Sequence, residues 1–296
     1  MHSYSLIVCT YNRCSFLRET IESVLLQFAD RATYELLIID NNSSDDTALV
    51  VREFLHLPQV RYVLETSQGL SYARNRGIKE ASKNIIVFLD DDIDLDANYP
   101  TMLDQIYSDP SIHIAGGKVL PYRRQMPDYL PRKYAYLVSV FDIGNEPAFV
   151  TKLMGANHSF RKEVAAKVGG YNISIGPNGD FKLGGDENEY LNRAQSAGYK
   201  LFYHPDLIVY HKIENRFSKE FILQYAYNIG ASEANIDYLQ RKWFLALRTL
   251  KYLANSILHR LNLFNDGQNQ FVQLIKKASR KGYLDFVKKV FGTPPL

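Results

Sequence analysis

The chain has 296 residues and is 46% hydrophobic, enough for a full-sized buried core, which excludes a disordered polypeptide. No run approaches the roughly 20 apolar residues of a membrane-spanning helix, and MHSYSLIVCTYNR carries no cationic leader, so neither a signal peptide nor a transmembrane segment is expected. The net charge of +3 divides unevenly: residues 212–296 hold 14 Lys and Arg against 6 Asp and Glu, the remainder 21 against 26, so a basic tail and an acidic body are expected to meet different partners. Cys9 lies in an apolar run and Cys14 five positions on; alone they form neither a zinc site nor a disulfide, which suits a reducing, cytosol-facing setting.

In chain order, the first half alternates strand-like and helix-like runs, the pattern of a sheet with parallel strands and covering helices. SLIVCT (5–10) is the first strand, and CSFLRETIESVLLQF is a helix with Leu17, Ile21, Val24, Leu25 and Phe28 on one face. ELLIID (35–40) is the second strand, followed by a helix in NNSSDDTALVVREFL that Ser43 or Ser44 can cap. VRYVLE (60–65), a helix in GLSYARNRGIKEAS, and the wholly apolar NIIVFL (84–89) complete four such steps, the last strand reading as central. NYPTMLDQIYS predicts a helix and IHIAGGKV a strand, while residues 121–150, rich in Pro, Tyr and Arg, predict an irregular connection. HSFRKEVAAKVGGYN predicts a helix ended by Gly169 and Gly170, and GGDENEYLNRAQSAGYKLFYHPDLIVYHK a loop, a helix and two short strands ending at His211. From about residue 214 the pattern becomes helical, with Trp243, Leu247, Leu250, Ala254, Ile257 and Leu261 forming one stripe flanked by Arg248, Lys251 and Arg260.

Ligands of open α/β sheets sit beyond the carboxyl ends of the strands, so the residues that follow each strand are the ones to inspect. They are polar: Thr10-Tyr11-Asn12-Arg13, Asp40-Asn41-Asn42-Ser43, Ser67-Gln68-Gly69 and Asp90-Asp91-Asp92. One carboxylate suffices to start a helix, and three in succession repel, so capping does not account for the aspartates. A hard divalent cation such as Mg²⁺ or Mn²⁺, bridging carboxylates to substrate phosphates, would offset that repulsion; Asp94 and Asp96 read as solvated turn residues. No glycine-rich phosphate loop follows the first strand, and Arg74, Arg76 and the helix beginning near Gly69 are left to meet phosphate charge.

In this order, SLIVCTYNR, LLIIDNNSSDDT, GLSYARNRGI, VFLDDDI, MGANHSFRKEV with GGY, GGDENEYLNRAQSAGY and YHPDLIVYH resemble glycosyltransferase family 2, the inverting GT-A nucleotide-sugar glycosyltransferases of the bacterial surface-polysaccharide type. The resemblance covers residues 4 to about 213. It implies a GT-A fold, a Rossmann-like mixed sheet flanked by helices, over 1–213, with a nucleotide-binding half (1–118) and an acceptor-binding half (119–213), and a basic helical appendage over 214–296. It implies that Thr10, Tyr11 and Asp40 hold the base of a nucleoside diphosphate sugar, usually UDP-linked, with Asn12, Arg13, Asn42 and Gly69 on the same rim and Arg74 near the diphosphate or ribose. Asp92 matches the direct ligand of Mn²⁺ or Mg²⁺; Asp90 or Asp91 serves the ribose or a metal-bound water, Asp90 doubling as a candidate ligand; His211 completes the metal shell. Gly155, Ala156 and Asn157 match the segment that lines the donor-sugar pocket. The family's Gly-Glu-Asp motif is spelled Gly185-Asp186-Glu187 here, so by position Glu187 is the general base, with Asp186 binding the acceptor or acting as base itself; Asn188 and Glu189 read as helix-cap residues as readily as functional ones.

The implied acceptor is a hydroxyl of a glycan or lipid-linked saccharide. The basic tail is expected to lie on an anionic membrane surface at the inner face of the cell membrane, to form a homo-oligomer contact, or to cover the catalytic domain with a solvated face; no nucleic-acid motif accompanies its charge. Two rival readings are a sugar nucleotidyltransferase, whose glycine-rich loop TYNRCSFL lacks, and a non-catalytic carbohydrate-binding scaffold, against which the acids at both motifs count.

Overall fold

The computed structural model describes residues 2–31, 33–177, 184–240, 242–260 and 270–292. Among these, nine strands build one mixed sheet: β1 (Tyr4–Thr10), β2 (Tyr34–Asp40), β3 (Val60–Leu64), β4 (Ile85–Leu89), β5 (Ile93–Leu95), β6 (Ile114–Pro121), β7 (Ala148–Val150), β8 (Asn157–Arg161) and β9 (Leu201–His211). The order is β3-β2-β1-β4-β8-β6-β9-β5, with β7 also paired to β9. The first four strands run parallel, β8 is antiparallel to β4 and β6, and β9 runs parallel to β6. The helices that cover it are α1 (Cys14–Gln27), α2 (Thr47–Arg52), α3 (Leu70–Glu80), α4 (Tyr99–Ser108), α5 (Lys162–Val168) and α6 (Asp186–Ser196).

The core reflects the alternation of β1: Leu6 and Val8 pack with Leu17, Ile21 and Val24 of α1 and with Phe28 just after it on one face, while Ile7 packs with Leu37, Ile39 and Ala73 on the other. NIIVFL is central, as its unbroken apolarity requires, because β4 is flanked by β1 and β8 and every residue from Ile85 to Leu89 is buried. The parallel β1–β4 block brings Thr10, Asp40 and the residues after Leu89 to one edge of the sheet.

Several local expectations require correction. HSFR is the strand β8 rather than the start of a helix, and α5 begins only at Lys162. The segment LFYHPDLIVYH is one eleven-residue strand instead of two; Pro205, which lacks a ladder donor, falls where the β6–β9 register slips between Gly117 and Val119. Neither Ser43 nor Ser44 caps α2, which starts at Thr47 with the Asp45 carboxylate accepting the Thr47 N–H at 3.0 Å. Asp94 and Asp96 are not merely solvated: Asp94 pairs with the Lys212 ammonium at 2.9 Å, and Asp96 accepts the Tyr210 hydroxyl at 3.2 Å.

The chain divides into two compact units, and the sheet belongs to the one formed by residues 1–125, 139–174 and 186–213. The second comprises 126–138, 175–185 and 214–296, with the helices α7 (Lys219–Gln240), α8 (Lys242–Arg260) and α9 (Gln270–Phe291). Within it α7 and α9 run antiparallel and nearly touch at two glycines: a Cβ on Gly230 would lie 1.9 Å from the Ser279 carbonyl oxygen, and one on Gly282 would lie 1.9 Å from that of Tyr227. Leu245 of α8 is buried with Ala234 and Tyr283, and Arg248 reaches Asp237 at 3.2 Å. The expected stripe on α8 is therefore not its packed face: Trp243, Leu247 and Leu250 are 65%, 58% and 64% exposed. The side chains of Ile257, Arg260 and Leu261 lie outside the described residues.

Candidate active site

The loops after β1 and β2 are tied to each other by side chains acting in place of a ladder. Asn12 and Asn42 adopt left-handed backbone, with φ of 53° and 64°, a conformation in which Asn is among the least costly residues. The Asn12 N–H donates to Ser43 Oγ at 3.0 Å, and its side-chain carbonyl accepts the Ser44 N–H at 2.7 Å. Asp40, buried at the end of β2, accepts the Ser43 N–H at 2.9 Å and the Tyr62 hydroxyl at 2.7 Å. Thr10 is buried beside it, whereas the Tyr11 ring is half exposed. Asn41 joins this rim to the next loop: its Oδ1 accepts the Gly69 N–H at 2.7 Å, and its Nδ2 donates to the Ser67 carbonyl at 2.6 Å. The sequence places Asn41 on the polar rim after β2 but does not mark Tyr62, whose partner lies 22 positions away, and it does not show that Asn41 reaches Gly69, 28 positions on.

The turn after β4 concentrates charge. Asp91 and Asp92 are buried, and Arg13 answers both, reaching Asp91 at 3.2 Å and making a short ion pair with Asp92. Burial pushes the Asp91 carboxyl up to about 7, Asp92 and Asp90 adding to the rise while Arg13 opposes it. The same carboxylates hold the Arg13 guanidinium above its ordinary range against the cost of its own burial. From the far side of the sheet's edge, buried His211 sets Nε2 2.7 Å from Asp92 Oδ1 and 3.8 Å from Asp90 Oδ2, with its Nδ1 3.3 Å from the Ser139 carbonyl. One ligand atom each from Asp90, Asp92 and His211 falls within 4.8 Å of the others. Two carboxylates and an imidazole whose second nitrogen meets a carbonyl form a donor set that fits a divalent cation. The cluster combines two positions from one turn with a third 119 residues away.

A second acidic pair opens α6. Asp186 is buried and makes a short ion pair with Arg74, itself buried, while Glu187 Oε2 stands 4.0 Å from the same guanidinium. The Glu187 side chain remains 21% exposed, against 1% for Asp186. Burial raises the Glu187 carboxyl to about 7, with the neighbouring Asp186 charge adding and Arg74 subtracting. A carboxyl tuned to that range can take a proton near neutral pH and release it again. Gly155 makes room for the pair: a Cβ there would lie 3.0 Å from Arg74 Nη2 and 3.4 Å from Glu187 Cγ.

Arg74 is also supported by rings, with its guanidinium 5.2 Å from the Tyr171 centroid and 5.9 Å from that of Phe88. His158 stacks on Phe88 and receives the Tyr171 hydroxyl at its Nε2, 2.7 Å away. Burial, and then the Arg74 charge, lowers His158 to about 3, so it is a neutral hydrogen-bonding group. In the sequence Phe88, His158 and Tyr171 stand only inside longer motifs and carry no role of their own. Asn157 spends its amide inside the fold, accepting the Tyr99 hydroxyl at 2.8 Å and donating to the Leu207 and Lys118 carbonyls at 2.8 and 3.0 Å; Ala156 is buried in the core. Glu189 is held by Arg193 at 2.7 Å, and Asn188 donates to Glu187 Oε1 at 3.0 Å.

With this geometry in view, comparison with known proteins gives a consistent result. A glucosyl-dolichyl phosphate glucuronosyltransferase of Haloferax volcanii is 27% identical over 244 residues, covering 79% of this chain and 77% of that protein. A second Haloferax volcanii protein, glycosyltransferase AglE, is 25% identical over 262 residues, covering 86% and 79%. Among solved structures, a mannosyltransferase from Pyrobaculum calidifontis in complex with GDP-Man and Mn²⁺ superposes with a TM-score of 0.61 at 18% identity, over 99% of this chain and 88% of that one. The mixed sheet with its flanking helices is thus a GT-A fold carrying a helical C-terminal region, and the protein is a glycosyltransferase. Residues 5–167 match the sequence signature of glycosyl transferase family 2, and the chain belongs to that family.

Proposed function

We propose that this chain is an inverting, metal-dependent glycosyltransferase that moves a sugar from a nucleoside diphosphate carrier, UDP first, to a hydroxyl of a lipid-linked saccharide at the inner face of the cell membrane. The observation that carries this reading is the asymmetry of the second acidic pair, in which Asp186 is locked on Arg74 while Glu187 stays partly exposed with its carboxyl raised to about 7. Glu187 takes the proton from the acceptor hydroxyl as that oxygen attacks the anomeric carbon on the face opposite the leaving nucleotide, which inverts configuration. Asp186 and Arg74 keep the loop and its charge fixed through the step. Asp90, Asp92 and His211 would hold the cation, Mn²⁺ suiting the mixed oxygen and nitrogen donors somewhat better than Mg²⁺. The chemistry such a cation supplies when bound is neutralisation of the charge that grows on the departing diphosphate. Asp40 and the Asn12–Ser43 bridge are assigned to the nucleoside, whose base can donate an N–H to the Asp40 carboxylate.

A lipid-linked acceptor is supported by the dolichyl phosphate conjugate in the name of the Haloferax relative. The test is turnover of a panel of nucleotide sugars with Mn²⁺ and the anomeric configuration of the product by NMR. Inversion together with loss of metal-dependent turnover in Asp92→Ala is expected. Retained configuration, or full metal-dependent turnover in that variant, overturns the reading.

A further inference from the structure

One face of α8 is exposed and apolar. Trp243, Leu247, Leu250 and Ala254 follow one another at helical spacings of four, three and four residues, and all four are exposed, with Leu253 38% exposed beside them. The opposite face packs: Leu245 is buried, and Arg248 pairs with Glu233 and Asp237 of α7 at 3.3 and 3.2 Å. Over the side chains described, the helix therefore presents Trp243, Leu247 and Leu250 to solvent and turns a cation inward, the reverse of what a helix does when its only task is to cover a core. Lys242 and Lys251 border the apolar stripe on its two sides, and the sequence KWFLALRTLKYLANSILHR contains no Asp or Glu. Elsewhere in the unit, Lys277, Lys281 and Lys288 are exposed along α9.

We infer that this face of α8 docks on an anionic lipid bilayer, with Trp243, Leu247 and Leu250 entering the interface and Lys242 and Lys251 meeting the headgroups. A protein partner could cover an apolar stripe, but a stripe bordered by lysines on both sides, headed by Trp and free of acids complements a negatively charged surface with an apolar interior. Among the described residues no helix is long and apolar enough to cross a membrane, so the contact is interfacial. The inference rests on the proposed reading in one respect: a lipid-linked acceptor gives surface docking a purpose. Binding itself can be measured without any turnover.

Trp243 is the only tryptophan in the chain, so its fluorescence reports on this face alone. The whole 296-residue chain is mixed with phosphatidylglycerol-containing vesicles and with phosphatidylcholine vesicles, and donor turnover on a water-soluble acceptor is followed in the same preparations. A blue shift of Trp243 emission on the anionic vesicles, quenching by brominated acyl chains and weakening by salt are expected. Leu247→Glu/Leu250→Glu should reduce vesicle binding by more than about tenfold while leaving turnover on the soluble acceptor unchanged, which also establishes that this variant folds. The inference fails if Trp243 emission is unmoved by anionic vesicles or if the double variant binds as well as the parent. It also fails if sedimentation reveals self-association that the double substitution abolishes without any vesicle binding, since the face then belongs to a second copy. Loss of soluble turnover with vesicle binding intact would instead strike the catalytic reading alone.

Discussion

The two acidic clusters of the catalytic unit use the same ingredient, adjacent carboxylates, and end in different states. At the turn after β4, Asp92 is engaged on one oxygen by His211 and on the other by Arg13, which also reaches Asp91. At the start of α6 a single guanidinium serves two acids and is committed to Asp186, so Glu187 stands at 4.0 Å with a carboxyl raised to about 7. Each cluster contains one carboxyl raised to about 7, Asp91 in the first and Glu187 in the second, so what separates them is the reach of the cations: Arg13 stands 3.2 Å from Asp91, whereas Arg74 stands 4.0 Å from Glu187.

Removing the cation that organises the second cluster should have the largest effect. Arg74→Met leaves the buried Asp186 carboxylate without its partner, and such losses cost about 3–5 kcal/mol, readable by urea denaturation. It should also move the titration of Glu187 upward, because Arg74 is the group holding it down; a stability change below about 1 kcal/mol would mean that Asp186 is held by something else. Arg13→Met acts on a guanidinium that is about one-third exposed, so the expected loss is smaller, about 1–2 kcal/mol. Its sharper readout is weaker cation affinity or a changed metal preference, since the carboxylates it aligns would be free to turn. Asp94→Asn should matter least, within about 1 kcal/mol, because Glu19 still meets Lys212 at 2.7 Å. A large loss there would show that this outlying acid belongs to the first cluster's charge balance.

Much of this was legible in the sequence, for identifiable reasons. An unbroken apolar run followed by three aspartates fixes β4 and its ligand edge, because burial dictates the strand and repulsion demands a compensating charge. The compensators were harder to assign: Arg13 and His211 lie 79 and 119 positions from Asp92, and only the sheet order makes them neighbours. Arg74 was expected near the diphosphate, and its commitment to Asp186 depends on α3 and α6 meeting beside Gly155, which no local pattern encodes. HSFR reads as helix because helix-forming residues follow it directly, whereas antiparallel pairing with both β4 and β6 makes it a strand. On α8, periodicity puts Trp243, Leu247, Leu250 and Ala254 on one face, but it also sets Arg248 at that face's flank, and periodicity cannot say which face meets a neighbour. The Arg248 ion pairs and buried Leu245 turned the opposite face inward.

The most direct test of the account is the pH dependence of kcat/KM for transfer, in the parent and in Glu187→Gln. A base must be ionised to accept a proton, and a carboxyl raised to about 7 is protonated below that pH, so the rate should climb as pH rises through about 7. In Glu187→Gln that limb should vanish and transfer fall by about 10²–10⁴-fold, with donor binding kept. A Glu187→Gln enzyme that retains both the rate and the limb, while Asp186→Asn loses them, would contradict the assignment and move the base to the carboxylate that Arg74 holds.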